Sequence, residues 1–89
     1  MPRIEVPPRY RGPTRGQSTI EVSGETVRRC IEAVETEYPG FCELIFDGTG
    51  NVRRFVSLFV NGDALARDAV DRPVAASDRI QILAAAAGG

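Results

Sequence analysis

Hydrophobic and polar positions alternate, change period and alternate again along this chain. Ile4 and Val6 alternate against Arg3 and Glu5, which predicts a short strand over 3–7, closed by Pro7-Pro8 because neither proline has an N–H to give a ladder. After a loop over 9–16 rich in Arg, Gly and Pro, alternation resumes over 17–22, with Ile20 and Val22 on one face and Thr19 and Glu21 on the other, so the pair predicts a hairpin. Past Ser23-Gly24 the period lengthens. Val27, Cys30, Ile31, Val34 and Tyr38 fall on one helical stripe, with Arg28, Arg29, Glu32, Glu35 and Glu37 opposite. Thr26 or Ser23 caps this helix and Pro39-Gly40 stops it.

In the second half, Phe41, Leu44 and Ile45 predict a single apolar helical turn before the loop 47–51. The longest strand is expected over 52–60, ending in Asn61-Gly62, the preferred pair for a two-residue hairpin turn with both φ angles positive. Within it Val56, Leu58 and Val60 form an aliphatic row; the other row, Phe55, Ser57 and Phe59, contains a polar residue and is read as the outer one. A return strand over 64–66, an irregular crossover over 67–77 and a last strand over 78–83 complete the order, with Ile80 and Ile82 inward and Arg79, Gln81 and Leu83 outward. The expectation is an α+β fold, a β-grasp roll whose mixed sheet of four or five strands packs on one main helix.

Composition narrows the chemistry. Eighty-nine residues, 43% hydrophobic, make one small domain. There is no His, so the commonest general base and metal ligand is missing and Ser-His-Asp or Cys-His catalysis is excluded within this chain. All eleven cations are Arg and a formal charge of -1 offers no field for gathering nucleic acid. Without Lys the chain has no side-chain amine on which to accept an isopeptide bond. Cys30 and Cys42 stand in no recurring metal or redox spacing and read as core thiols, with a redox or nucleophilic role as the alternative. No metal site is expected. The opening Met-Pro-Arg-Ile-Glu-Val lacks the apolar run of a signal peptide, and no stretch approaches the roughly 18 residues of a membrane span. A cytoplasmic protein, monomeric when free, is the expectation.

The last ten residues narrow from branched aliphatics to methyl groups to Gly88-Gly89 and carry no charged side chain. The chain thus divides into a body, 1–83, and a tail, 84–89, which fully extended reaches roughly 20 Å. Glycines without Cβ suit a narrow channel closely lined by another protein's backbone. The same segment also reads as a frayed chain end or an expression remnant. For docking, Phe55, Ser57 and Phe59 on one strand and Leu83 on its neighbour would share one exposed apolar face; the alternative is that the protein's own loops cover the two Phe.

These pieces together resemble the ubiquitin-like sulfur-carrier family. The resemblance rests on Gly24-Glu25-Thr26-Val27, on Arg54 through Gly62, on Ser77 through Leu83 and on terminal Ala87-Gly88-Gly89, and is closest to carriers of actinobacterial cysteine biosynthesis through Gly12 to Gln17 and the insert 47–51. It departs at Ser77, where the family usually has Gly, and at Ala84 and Ala86, where it often has Pro and Val. The resemblance implies that the Gly89 carboxylate, next to Gly88, is adenylated by a ubiquitin-activating-type enzyme using ATP, that a thiocarboxylate follows, and that a second, biosynthetic enzyme accepts the sulfur. It implies that the chain is no enzyme itself and holds no bound cofactor. Ala84, Ala85, Ala86 and Ala87 would then line the partner's channel, and Arg11 matches a position where the family often carries Arg. A protein modifier and a non-covalent interaction module are the alternatives.

Overall fold

The computed structural model describes residues 1–85. Strands β1 (Arg3–Glu5) and β2 (Thr19–Glu21) form the expected antiparallel hairpin with Ile4 opposite Ile20. Both strands are shorter than the alternation suggested, yet Val6 and Val22 beyond their ends are still buried. Helix α1 (Val27–Glu37) begins at Thr26, whose hydroxyl accepts the Arg29 N–H at 3.1 Å; this selects Thr26 over Ser23 as the cap. Val27, Cys30, Ile31 and Val34 are buried as one stripe, each large side chain contributing on the order of 1.5–3 kcal/mol by leaving water. The approach to α1 is tight. A Cβ on Gly24 would stand 2.8 Å from the Cys30 nitrogen and 3.0 Å from its Sγ, so only glycine fits there without displacing the helix backbone.

Helix α2 (Cys42–Ile45) is the expected single turn, with Phe41 and Ile45 fully buried and Leu44 half-buried. The Glu35 carboxylate ties it to α1 by accepting the backbone N–H of Gly40 at 3.0 Å and of Cys42 at 2.9 Å. The long strand is corrected: β3 is Val56–Val60, not 52–60. Val52 makes only an isolated bridge to Phe46, and the Val56 N–H closes a turn on the Arg53 carbonyl. The cause lies far along the chain. The Arg67 guanidinium draws in the carbonyls of Val52, Arg53 and Arg54, and three successive acceptors converge on one cation only from a curled backbone, since a pleated one sends alternate carbonyls to opposite edges.

Asn61 (φ 52°) and Gly62 (φ 89°) form the expected hairpin turn, and its two-residue length puts β4 at Asp63–Ala64 rather than 64–66. The crossover delivers Val70 to the core, where Arg28 of α1 fixes it: the Arg28 N–H donates to the Val70 carbonyl, and its guanidinium reaches Asp71 at 2.9 Å and the Gly50 carbonyl at 2.8 Å.

The five strands run in the order β2-β1-β5-β3-β4, with β5 (Arg79–Ala84) central, parallel to β1 and antiparallel to β3. Ile4, Ile80 and Val60 make one buried row across the sheet and Ile82 and Leu58 the next, in a single core with the α1 stripe. This is the β-grasp roll. The sheet includes Ala84, opposite Val56; a ladder needs only backbone, and the methyl group does not interrupt it.

Candidate functional site at the exit of the tail

β5 loses its neighbours in steps. Through Arg79 to Gln81 it lies between β1 and β3; β1 pairs no further than Glu5, and the chain turns off at Pro7-Pro8 into a 3-10 turn, Pro8–Tyr10. From Ile82 to Ala84 the partner is β3. At the end the Ala85 N–H donates to the Phe55 carbonyl at 2.9 Å, and the Ala85 carbonyl accepts Nη1 of Arg9 at 3.3 Å. Arg9 gave no signal in the sequence. Its position comes from Tyr10, buried beside it, and neither residue belongs to a periodic run. Burial pushes the Tyr10 phenol up, opposed by the Arg9 and Arg53 charges.

The outer face of β3 and β5 carries the expected docking residues in part. Ser57 pairs with Leu83 and Phe59 with Gln81, so these side chains share one face of the pleat. Leu83 is 58% exposed, Phe59 half-buried and Ser57 exposed. A shallow hollow opens there between Phe59, Gly62, Gln81, Ile82 and Leu83. Phe55, 40% exposed, sits in the turn before β3, beside the tail rather than in the row expected for it. Towards β1 the face becomes polar, where Gln81 donates to Glu5 at 3.1 Å.

Arg11 is half-buried, and its Nε donates to the Val6 carbonyl at 3.1 Å, occupying an acceptor where the chain leaves β1. Ala84 is half-buried and Ala85 exposed; Ala86, Ala87, Gly88 and Gly89 lie outside the described residues.

Cys30 belongs to the core and Cys42 packs half-buried against it. Cys30 is fully buried with its Sγ 3.7 Å from the Gly24 carbonyl, and burial pushes its thiol up. Cys42 points at the Ile31 carbonyl, and burial, then the Glu35 and Glu32 charges, push it up to about 11. Neither is a thiolate at neutral pH, the form a nucleophile or metal ligand requires. Among the described residues no group of three or more His, Cys, Asp or Glu converges as a metal site would, and no helix is long and apolar enough to cross a membrane. The described residues thus place the start of the tail, at Ala84 and Ala85, beside a half-apolar sheet face.

Comparison with known proteins agrees with that geometry. The model of the ThiS family matches residues 9–89. The sulfur carrier protein CysO of Mycobacterium tuberculosis (strain ATCC 25618 / H37Rv) is 33% identical over 89 residues, spanning 97% of this chain and 96% of the relative. The crystal structure of Mycobacterium tuberculosis CysO has a TM-score of 0.88 at 28% identity, covering 97% of this chain and 100% of that one. A chain from the crystal structure of the Amycolatopsis orientalis BexX/CysO complex has a TM-score of 0.86 at 28% identity, with 100% of both chains covered. SAMP1 from Haloferax volcanii, at TM-score 0.78 and 21% identity over 99% of this chain and 98% of that one, is a likeness of fold alone.

Proposed function

The chain belongs to the ThiS family, and from that premise we propose that it is a sulfur carrier whose cargo is built on the Gly89 carboxylate. The observation that carries this reading is the family match running through residue 89, on a chain whose central strand leads straight into the tail. The carboxylate oxygen attacks the α-phosphorus of ATP in the site of a ubiquitin-activating-type enzyme, forming an acyl-adenylate as pyrophosphate leaves. Hydrosulfide then attacks the acyl carbon, the C–O bond to AMP breaks, and a thiocarboxylate remains. Its sulfur is a soft nucleophile for an electrophilic carbon held by a second enzyme, in the biosynthesis of cysteine or another sulfur-containing metabolite. The partners supply the other catalytic groups, in keeping with a chain that has no His, one buried thiol and one half-buried thiol. Gly88 and Gly89 enter the channel, Ala84 to Ala87 line its mouth, and Leu83, Phe59, Ser57 and Phe55 dock outside it, with Arg11 at the polar margin.

Intact mass tests this. After incubation with ATP, sulfide and the activating enzyme of the same organism, the chain is expected to gain the difference between one sulfur and one oxygen, and deletion of Gly89 to abolish the gain. An unchanged mass, with an enzyme proven active on another carrier, removes the reading. Conjugates to Lys of other proteins in place of the gain would make the chain a modifier.

A further inference from the structure

Ala85 is held on both sides of its Cα by distant parts of the chain. Its N–H is bound by the Phe55 carbonyl in the turn that Arg67 curls, and its C=O by Arg9 in the turn after β1. Arg9 is placed with some force. Pro8 presets the first position of its 3-10 turn, the Tyr10 N–H donates to the Pro7 carbonyl at 2.9 Å, and Tyr10 is 5% exposed. On the next residue the Arg11 N–H returns to the Pro8 carbonyl at 3.2 Å and its side chain to the Val6 carbonyl. The backbone on both sides of Arg9 is thus tied down, while its own side chain lies exposed and reaches across the end of the sheet to a residue 76 positions away. A cation donating to a carbonyl is among the stronger single hydrogen bonds.

We infer that Arg9 is a positioning residue for the tail: it takes over from β1 where that strand stops, and holds the carbonyl of Ala85, the residue after β5, in the line along which the tail enters a partner. This rests on the proposed carrier function for its catalytic consequence, but the clamp itself is a property of the free protein. A tail held in its competent direction loses less freedom on entering a channel; without the clamp, apparent affinity falls by the fraction of time the tail is correctly aimed. Once the tail is threaded, Arg9 has no further part, so binding suffers and the chemical step does not.

The test pairs two measurements on the full chain, comparing the natural sequence with Arg9→Ala and Arg9→Lys. By 13C′ relaxation of the free protein, the order parameter of the Ala85 carbonyl, the group Arg9 binds, is expected to fall from the rigid range, about 0.85, towards the flexible range, below about 0.6, in Arg9→Ala, with Arg9→Lys between. In ATP–pyrophosphate exchange with the activating enzyme, KM for the carrier is expected to rise roughly three- to ten-fold in Arg9→Ala at unchanged kcat, the size expected from losing one exposed charge-assisted hydrogen bond. An unchanged order parameter overturns the clamp. A lowered one with unchanged KM, or a loss confined to kcat, overturns the positioning role. If the natural sequence is not adenylated at all, the carrier reading falls and the clamp is judged on relaxation alone.

Discussion

The two halves of β5 do opposite work with the same backbone. From Arg79 to Gln81 the strand is paired on both edges and Ile80 is fully buried; from Ile82 to Ala84 it is paired to β3, and Leu83 stands 58% exposed. The first half is fixed on both edges. The second hands the chain over to the tail through one neighbour, then through two hydrogen bonds at Ala85. A carrier needs both: a base that does not move and an arm released gradually enough to keep its direction. Here the difference comes from β1 ending at Glu5, ahead of two prolines that cannot extend its ladder.

Truncating one side chain in each half breaks the comparison most directly. Ile80→Ala is expected to cost about 3 kcal/mol in urea unfolding, the usual range for emptying a buried aliphatic site, whereas Leu83→Ala should stay within about 0.5 kcal/mol. In exchange assays with the activating enzyme, Leu83→Ala should instead raise KM about five- to ten-fold, as loss of an exposed apolar anchor would. Equal stability losses would mean that the halves are not different in kind.

A smaller effect concerns the start of the strand. The Asp78 carboxylate accepts the Ala75 N–H at 2.8 Å and the Asn61 side-chain amide at 2.9 Å, while Asn61 Oδ1 accepts the Arg79 N–H, fastening the β3–β4 turn to the first residue of β5. These bonds, the Ala75 one first, hold the Asp78 carboxyl below its ordinary value, so the folded state binds its proton less readily than the unfolded chain. The resulting stability is complete above the ordinary aspartate value, about 3.9, and is lost as pH falls through the lower folded value. Thermal melts from about pH 5 to about pH 2.5 should therefore decline less steeply in Asp78→Asn than in the natural sequence. Some decline should persist, because Thr49 and Asn51 hold Asp47 down in the same way. An identical decline in the two proteins would show that the fastening adds nothing.

What could be read without coordinates followed from how local each cause is. The α1 stripe, its Thr26 cap and the Asn61-Gly62 turn are decided by neighbours a few residues apart, and each stands where the spacing put it. The outer sheet face was legible at Leu83, Ser57 and Phe59 because alternation in a pleat is also local. Phe55 was misassigned to the strand because Arg67, more than ten residues on, bends the preceding backbone. Val70 and Tyr10 are buried from irregular segments where no period announces it, and Arg9 matters only because topology brings the turn after β1 to the end of β5.

The inward set of the two thiols bears on what would follow the proposed activation. An acyl-adenylate reacts with whatever nucleophile reaches it first, and at working concentration the nearest protein surface is often another copy of the carrier. Here that surface offers no lysine amine, and its two sulfurs are turned inward and kept protonated. If the proposed activation holds, an adenylated molecule would meet no lysine amine and no exposed thiolate on its siblings.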